Sequence, residues 1–345
     1  MAGVCFLDTG LFNTRRKAMK NMNVLITFPV TDEKRKAIES TAPDAEYTYL
    51  AGHFVGDEKT KLTEEHLENA DVILGCVPPA MLQHCRRLKF LQLDSAGVKP
   101  YIGGALPEGA ALACATGAYG LAISECMLAG MLMLQKKMLL YMDNQKKHLW
   151  KKEGMVGSVY GATVLCVGMG EIGGEFLKRC KALGAYTIGV KRTAGEKPEW
   201  VDELYTIEEV DSLLPRADVL ALVLPETPKT YHMFDEERLG ILKKDAIVLN
   251  TGRGNTVDNL ALAKMLEEGR LAGACLDVFE PEPLPEDHPL WDAPNTIITP
   301  HVTGGFTLQY TLDKIADISA ENFRRFVNGQ QLVNEVDFEE GYAKK

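Results

Sequence analysis

The sequence predicts an α/β fold with two parallel sheets, and three observations lead to this prediction. The chain has 345 residues, which suits about two domains better than one compact core. Short apolar runs alternate with polar, helix-forming segments, as is typical of parallel strands joined by crossover helices. The alternation occurs in two separate series, and the second series opens on a glycine-rich turn.

The first series contains five apolar runs, separated by stretches such as DEKRKAIES and TEEHLENA. The runs are VLITFP (24–29), YTYL (47–50), DVILGCV (71–77), LKFLQLD (88–94) and ALACA (111–115). We therefore expect a parallel sheet with helices in its connections. Residues 120–149 follow as one long helix-like segment that is rich in Met and Leu. Its broad apolar face suits either a core helix or a subunit interface.

The second series contains six apolar runs with intervening helical segments. The runs are TVLCVG (163–168), YTIGV (186–190), VLALVLP (219–225), AIVLN (246–250), GACLDV (273–278) and TIITP (296–300). Six short strands in this arrangement predict a doubly wound sheet of the kind that binds dinucleotides. A last helix is predicted over 307–329, and a short polar tail follows it.

The composition excludes several classes of protein. The net charge of −10 disfavours a nucleic-acid partner or an anionic membrane surface, and no apolar run approaches the roughly 20 residues that cross a bilayer. The eight cysteines form no CxxC pair, so we interpret them as reduced thiols of a cytoplasmic protein without a disulfide framework or a metal site. Residues 1–22 show little periodicity and are predicted to be an N-terminal extension without function.

The glycine-rich turn has the spacing Gly168-x-Gly170-x-x-Gly173, after a predicted strand and before a predicted helix. Gly168 permits the tight turn, Gly170 lets the backbone approach a pyrophosphate, and Gly173 lets the helix pack closely on the strand. The pyrophosphate would lie at the helix N-terminus, where free N–H groups favour an anion. The alternative is a glycine-rich turn that binds nothing.

The end of the next strand indicates which dinucleotide binds. NAD-binding sheets carry an acid there for the ribose 2′-hydroxyl, whereas this chain has Lys191, Arg192 and Thr193. Two cations and a hydroxyl can hold a 2′-phosphate through charge-assisted hydrogen bonds. The sequence therefore favours NADP as the cofactor and leaves NAD possible. The alternative is a solvated basic turn.

Three residues with complementary chemistry follow neighbouring strands of the second series. Arg253 follows AIVLN, Glu282 follows GACLDV, and His301 follows TIITP. Ligands bind beyond the carboxyl ends of strands in a doubly wound sheet, so these side chains should converge on one crevice. An Arg can fix a substrate carboxylate, a His can protonate a carbonyl oxygen, and a Glu can hold the His. Glu280 competes with Glu282 for the last role.

Five motifs follow one another along the chain, in the order VGMGEIG, LVLPETPKT, LNTGRG, LDVFEPEPLP and TPHVTGG. Through these motifs, the chain from roughly 23 to 336 resembles the D-isomer-specific 2-hydroxyacid dehydrogenase family. The resemblance implies that Arg253 binds substrate, that Glu282 pairs with the histidine, and that His301 is the acid/base and also contacts substrate. It also implies a set of further contacts. They are Gly168, Gly170, Glu171, Ile172, Gly173, Leu224, Pro225, Thr230, Thr251 and Asp277 for the cofactor, and Ala96, Gly97 and Val98 for the substrate carboxylate.

The resemblance also implies a domain organisation. A flavodoxin-like substrate domain would comprise 23–120 and 306–345, and a Rossmann cofactor domain, 121–305, would be inserted into it. The helix at 120–149 would contribute to a homodimer interface.

Two functions follow from the resemblance. The first is an NAD(P)-dependent 2-hydroxyacid dehydrogenase that acts mainly as a reductase of small 2-keto acids. The second is a cofactor-sensing, corepressor-like binding protein on the same fold. Substrate choice would depend on loops at 52–57, 76–80 and 95–102. The segments GHFVGD and CVPPAM in these loops lack Arg and Lys, which disfavours a phosphorylated substrate.

Overall fold

A computed structural model describes residues 22–50, 62–103, 106–193, 195–339 and 342–343. The chain divides into two compact units. The first unit extends to Ala118 and resumes at Phe306, and the second unit is Tyr119–Gly305. The boundary expected from the sequence, 120/121, lies two residues beyond the first division. The predicted extension at 1–22 and the loop at 52–57 lie outside the described residues, apart from Met22.

The strands and helices are numbered in chain order. The strands are β1 (Asn23–Ile26), β2 (Glu46–Tyr49), β3 (Val72–Leu74), β4 (Phe90–Gln92), β5 (Ala111–Ala113), β6 (Thr163–Val167), β7 (Tyr186–Lys191), β8 (Glu203–Thr206), β9 (Val219–Leu222), β10 (Ile247–Asn250), β11 (Gly273–Leu276), β12 (Thr296–Ile298), β13 (Val336–Asp337) and β14 (Tyr342–Ala343). The α-helices are α1 (Asp32–Glu39), α2 (Glu64–Asn69), α3 (Gly120–Gln135), α4 (Met138–Lys146), α5 (Glu171–Ala182), α6 (Val210–Leu213), α7 (Glu236–Ile241), α8 (Asn259–Glu267) and α9 (Gln309–Val327). Short 3-10 helices lie at Pro79–His84, Lys99–Tyr101, Ile207–Glu209, Leu214–Arg216, Gly254–Thr256 and Pro289–Trp291.

The first unit is built on a five-stranded parallel sheet in the order β2-β1-β3-β4-β5. Every residue of β3 and β4 is buried, as expected for strands covered on both faces. Helix α9 belongs to this unit although it comes near the end of the chain. Its buried Asn322 donates from Nδ2 to Gln92 Oε1 at 2.7 Å, so the helix is joined to β4 by a buried hydrogen bond.

The second unit is built on a seven-stranded parallel sheet in the order β12-β11-β10-β9-β6-β7-β8. The chain starts at β6 in the middle, proceeds to one edge, and then returns to build the other half. The strand order therefore reverses between β6 and β9, where doubly wound sheets bind ligands beyond their carboxyl ends. These two sheets confirm the predicted fold class.

Two details of the sequence prediction were wrong. The segment at 120–149 is not one helix, because α3 ends at Gln135 and Lys137 adopts a left-handed backbone (φ 56°) before α4 begins. The Lys137 side chain donates to Glu153 O at 2.6 Å, which supports the break. The prediction also missed β8, which is only four residues long and partly exposed throughout.

Candidate active site

The glycine-rich turn follows β6 and leads into α5 as predicted. Gly168 has a positive φ of 99°, and a Cβ atom there would lie 2.2 Å from Val223 O. A Cβ on Gly173 would lie 2.6 Å from Gly168 O, so the helix can approach the strand only because this residue is glycine. The fold itself therefore requires glycine at both positions.

Gly170 differs from these two glycines. A Cβ atom at Gly170 would meet nothing within 4 Å in the part of the chain that the structure describes. Gly170 is also the N-cap of α5, and no side chain of the described residues caps this helix. An open glycine beside uncapped N–H groups is what a bound pyrophosphate needs, so the residues present fit a dinucleotide.

Glu171, the first residue of α5, serves a second helix. Its Oε1 accepts a hydrogen bond of 2.7 Å from Gly120 N at the start of α3. The side chain of Tyr119, the N-cap residue of α3, makes no capping hydrogen bond. A Cβ on Gly120 would lie 2.0 Å from this oxygen. Burial raises the pKa of Glu171, although the bond from Gly120 opposes the shift. Ile172, next in the helix, is partly buried.

The two other predicted cofactor segments lie at the carboxyl ends of β7 and β9. Lys191 closes β7, and Arg192 and Thr193 are exposed in the turn that follows. Beyond β9, Leu224 is buried and Pro225 is exposed. Thr230 donates from its hydroxyl to Pro225 O at 2.8 Å and holds this loop in shape. All of these residues therefore lie along the edge that carries the glycine-rich turn.

Arg253 follows β10, as predicted, and is partly buried. Its Nη1 donates to the neighbouring Gly252 O at 2.6 Å. No carboxylate pairs with its guanidinium among the residues that the structure describes. Nearby, Thr251 donates from Oγ1 to Met127 Sδ at 3.3 Å. The arginine charge is thus available to an anion that comes from outside the chain.

His301 and Glu282 form a direct pair. His301 Nδ1 lies 2.8 Å from Glu282 Oε2, and Glu282 Oε1 accepts from Phe279 N at 2.9 Å. An ionised carboxylate can only accept, so Nδ1 carries a proton and the second ring nitrogen, Nε2, is left to act. Nε2 has no hydrogen-bond partner within the described ranges, and the His301 side chain is half exposed. Glu280 instead contacts His232, at 3.0 Å.

Asp277 holds the loop that carries His301. Its Oδ1 accepts from the Thr299 hydroxyl at 2.6 Å and from Val302 N at 3.0 Å, and its Oδ2 accepts from the Thr303 hydroxyl at 2.6 Å. His301 itself has a positive φ of 53° and donates its backbone N–H to Asp277 O. This role of Thr299 and Thr303 was not predicted from the sequence, although both flank the histidine in TPHVTGG.

The predicted carboxylate-binding loop lies in the first unit. Ala96 is exposed, Gly97 is partly buried and Val98 is buried, just beyond the carboxyl end of β4. The Ser95 hydroxyl donates to Gly97 O at 2.9 Å and fixes the loop.

A doubly wound sheet with an open glycine turn at its switch point places the protein among the dinucleotide-binding folds. Residues 128–303, slightly more than half of the chain, match the family model of the D-isomer specific 2-hydroxyacid dehydrogenase, NAD binding domain. The chain belongs to this family and is therefore an NAD(P)-dependent oxidoreductase that acts on 2-hydroxy acids.

Solved structures and curated proteins agree with this assignment. A family member from Aeromonas salmonicida is 30% identical, with a TM-score of 0.79, over 92% of this chain and 99% of that one. An NADPH-dependent glyoxylate/hydroxypyruvate reductase from Sinorhizobium meliloti, in complex with NADP and sulfate, is 26% identical with a TM-score of 0.76, over 93% and 100%. A glyoxylate reductase of Korarchaeum cryptofilum is 39% identical over 200 residues, which are 56% of this chain and 58% of that protein.

The extent of these matches differs among the relatives. The chain spans 52–59% of the length of seven of the curated relatives that it matches. Among the described residues, no helix is long and apolar enough to span a bilayer, and no group of three or more His, Cys, Asp or Glu residues could hold a metal ion.

Proposed function

We propose that this protein reduces small, unphosphorylated 2-keto acids to 2-hydroxy acids and prefers NADPH as its reductant. The observation that carries the proposal is the 2.8 Å contact between His301 Nδ1 and Glu282, which leaves Nε2 available. The ring is thereby oriented with one nitrogen on a fixed carboxylate and the other open to a ligand. That is the arrangement a general acid requires.

His301 supplies the proton of the reaction. In the protonated imidazolium, Nε2–H donates to the carbonyl oxygen of the keto acid, and the ring becomes neutral when the hydroxyl forms. Glu282 keeps the ring in place, because its own Oε1 is held by Phe279 N. Asp277 is a positioning residue that fixes the backbone of the loop on either side of His301. Oxidation of a hydroxy acid would require the neutral ring as the base.

Arg253 binds the substrate. Its guanidinium can make two parallel hydrogen bonds to a carboxylate, or share them between the carboxylate and the carbonyl oxygen. As negative charge develops on that oxygen, the second bond strengthens. For the first unit, the resemblance implies that the backbone N–H groups at 96–98 contact a substrate carboxylate, and the hydrogen bond from the Ser95 hydroxyl to Gly97 O holds that loop in shape.

The glycine-rich turn and the adjoining strand ends would hold the cofactor. When bound, the dihydronicotinamide supplies a hydride to the carbon that bears the carbonyl oxygen. The turn at 168–173 would bind the pyrophosphate. The adenosine side would contact Leu224, Pro225 and Thr230, and the nicotinamide side would contact Thr251. Lys191, Arg192 and Thr193 would bind the 2′-phosphate of NADP, and this favours NADP over NAD.

The cofactor preference is tested by two dissociation constants. We expect the wild-type protein to bind NADPH more tightly than NADH in a fluorescence titration. Arg192→Ala should weaken NADPH binding roughly tenfold to a hundredfold, the effect of one charge-assisted contact, and leave NADH binding nearly unchanged. Lys178→Ala, which changes an exposed lysine on α5, is the matched control. Tighter binding of NADH by the wild type would contradict the preference.

The reaction is tested by NADPH oxidation with glyoxylate, hydroxypyruvate, pyruvate, phenylpyruvate and 2-ketoisocaproate. We expect glyoxylate and hydroxypyruvate to be reduced fastest; the support for this order is that several relatives are glyoxylate reductases and one is a glyoxylate/hydroxypyruvate reductase. Turnover of at least one of these acids, lost in His301→Ala, is the expected result. Binding of NADPH without turnover of any of them would contradict the proposal and favour a corepressor-like binding protein.

We also propose that the protein is a cytoplasmic homodimer. Six large apolar side chains between 138 and 155 are well exposed in the second unit. They are Met138, Leu140, Met142, Leu149, Trp150 and Met155. An apolar set of this size is unusual for a surface in contact with water, and a second copy would cover it. Light scattering after size-exclusion chromatography should show a dimer, and Trp150→Glu should shift it toward monomer. A monomeric wild type at micromolar concentration would contradict this.

A further inference from the structure

A second histidine–carboxylate pair lies on the segment that carries Glu282. His232 Nε2 lies 3.0 Å from Glu280 Oε2, and both side chains are partly exposed. An ionised carboxylate can only accept, so Nε2 carries the proton of this contact. Glu280 comes two residues before Glu282, and the reaction proposed above makes no use of it. The pair therefore fixes the chain directly beside the carboxylate that orients His301.

His232 is itself held in place before it reaches Glu280. It lies in the stretch that follows β9, has a positive φ of 43°, and donates its backbone N–H to Asn255 O at 2.7 Å. The ring of Tyr231 stacks on its imidazole, with centroids 4.2 Å apart and planes inclined by 7°. These contacts fix both the backbone and the ring of His232, which is how side chains that position a site are usually supported.

The other end of the contact is held at its backbone as well. Asn259, buried at the start of α8, donates from Nδ2 to Glu280 O at 3.3 Å. A Cβ atom on Gly254 would lie 1.9 Å from Phe279 C, so the backbone after β10 packs closely on this segment. The segment at 279–282 is therefore fixed by the stretch that follows β10 and, through the side-chain pair, by the stretch that follows β9.

The position of this segment determines the position of the Glu282 carboxylate. Phe279 N donates to Glu282 Oε1 at 2.9 Å, and Oε2 of the same carboxylate lies 2.8 Å from His301 Nδ1. A displacement of the chain at 279–280 would therefore move the carboxylate away from the ring that it orients. Partly exposed ion pairs contribute little to overall stability, so the effect of breaking the pair should be local.

We propose that His232 and Glu280 are positioning residues for the reduction, which act by holding the Glu282 carboxylate on His301. The inference rests on the proposed function, because it assumes that His301 supplies the proton. Neither member of the pair gives or takes a proton in the reaction. Loss of either should lower kcat and leave KM and the dissociation constant of NADPH nearly unchanged, because Arg253 and the glycine-rich turn remain in place.

The proposal is tested by kcat and KM for glyoxylate in His232→Ala and Glu280→Ala. We expect kcat to fall about tenfold to a hundredfold in both, since misplacement of a catalytic group by about 1 Å can cost about a hundredfold. Glu280→Gln keeps an oxygen that can accept from His232 Nε2–H, and it should recover most of kcat. Lys264→Ala is the matched control, because it removes an exposed ion pair with Glu236 in the same unit, and it should leave kcat unchanged.

A double-mutant cycle separates placement of Glu282 from a general loss of structure. In the Glu282→Ala background, His232→Ala should have no further effect on kcat, because the carboxylate that the pair holds is already gone. A full additional loss in the double variant would overturn the proposal, as would a kcat within twofold of wild type in His232→Ala. An equal loss in Lys264→Ala, or a loss in Glu280→Gln as large as in Glu280→Ala, would also overturn it.

The ring of His301 provides a second measurement that needs no turnover. In protein with isotopically labelled histidine, the NMR shifts of the two ring nitrogens report which of them carries the proton, and His301→Gln assigns the signals. The neutral ring should be protonated on Nδ1 in the wild type and in Lys264→Ala, and His232→Ala should move the proton toward Nε2. Unchanged shifts in His232→Ala would overturn the proposal. A wild type that reduces no keto acid would contradict the proposed function instead, and these shifts would still decide the role of the pair, so the two failures are distinguishable.

Discussion

Replacement of Arg253 by alanine tests how the substrate is held. In the structure the guanidinium donates to its neighbour Gly252 O, and no carboxylate of the described chain depends on it. The variant should therefore fold normally, with a melting temperature close to that of the wild type. The loss should appear in catalysis, because the substrate carboxylate would be left without its cation.

The size of the effect follows from the contacts that are removed. Truncation of one member of a shielded, charge-assisted pair costs about 3–5 kcal/mol. Each 1.36 kcal/mol corresponds to about a tenfold change in rate, so kcat/KM for reduction should fall by about 10²–10³ or more. KM should rise and kcat should fall together, since the contact strengthens as charge develops on the carbonyl oxygen.

The assay is NADPH oxidation with glyoxylate, together with the dissociation constant of NADPH and a thermal melt. Arg253→Lys is the matched variant, because it keeps the charge and loses the planar pair of donors, and it should fall between the wild type and Arg253→Ala. Unchanged kcat/KM in Arg253→Ala would refute the role in substrate binding. A large fall in melting temperature would instead show that the arginine has a structural partner.

Two further predictions follow from the structure. Gly170→Ala should leave the melting temperature nearly unchanged and weaken NADPH binding measured by titration, because no atom of the described residues lies within 4 Å of the new methyl group. Gly168→Ala should instead destabilise the fold. Equal melting temperatures for the two variants would contradict this. Glu203 accepts hydrogen bonds chiefly from Arg216 and also from Tyr186 and Tyr205, and these bonds lower its pKa to about 2. The ionised carboxylate therefore stabilises β8 at pH values above the ordinary carboxyl pKa, and this stabilisation is lost as the pH falls toward about 2. This partly exposed group should contribute about 1 kcal/mol to stability, so Glu203→Gln should melt a few degrees below the wild type at pH 7. In thermal melts at pH 3, the difference between the two melting temperatures should be smaller.

The sequence predicted the architecture because the fold depends on strong local patterns. The apolar runs of both series coincide with strands. Nine of the eleven strands are one to four residues shorter than their runs, since flanking residues enter turns such as Gly75–Val77, whereas β2 is as long as its run and β7 is one residue longer. The break at Lys137 could not be predicted, because it depends on a contact with Glu153 and on a left-handed residue without glycine. Strand β8 has weak periodicity and is held by side-chain hydrogen bonds that Glu203 accepts, among them one from Arg216.

The candidate site was predictable as a set of residues but not as a set of contacts. The position of a residue after a strand places it at the carboxyl edge, and this suffices for Arg253, Glu282 and His301. It cannot decide between Glu280 and Glu282, because both follow β11 within a few residues. The choice depends on the path of the chain, which brings the Glu280 carboxylate to His232 and the Glu282 carboxylate to His301. The bonds to Asp277 from the loop at 299–303 likewise depend on tertiary structure.

The central claim is that His301 donates the proton and that Glu282 acts only through His301. The most direct test is a double-mutant cycle on kcat/KM for glyoxylate reduction with NADPH, with the variants His301→Gln, Glu282→Gln and both together. We expect His301→Gln to lose about 10²–10⁴-fold, with NADPH binding retained, and Glu282→Gln to lose less. In the His301→Gln background, Glu282→Gln should then have no further effect, because the residue that it orients is already gone. A full additional loss in the double variant, or near-normal turnover by His301→Gln, would contradict the claim.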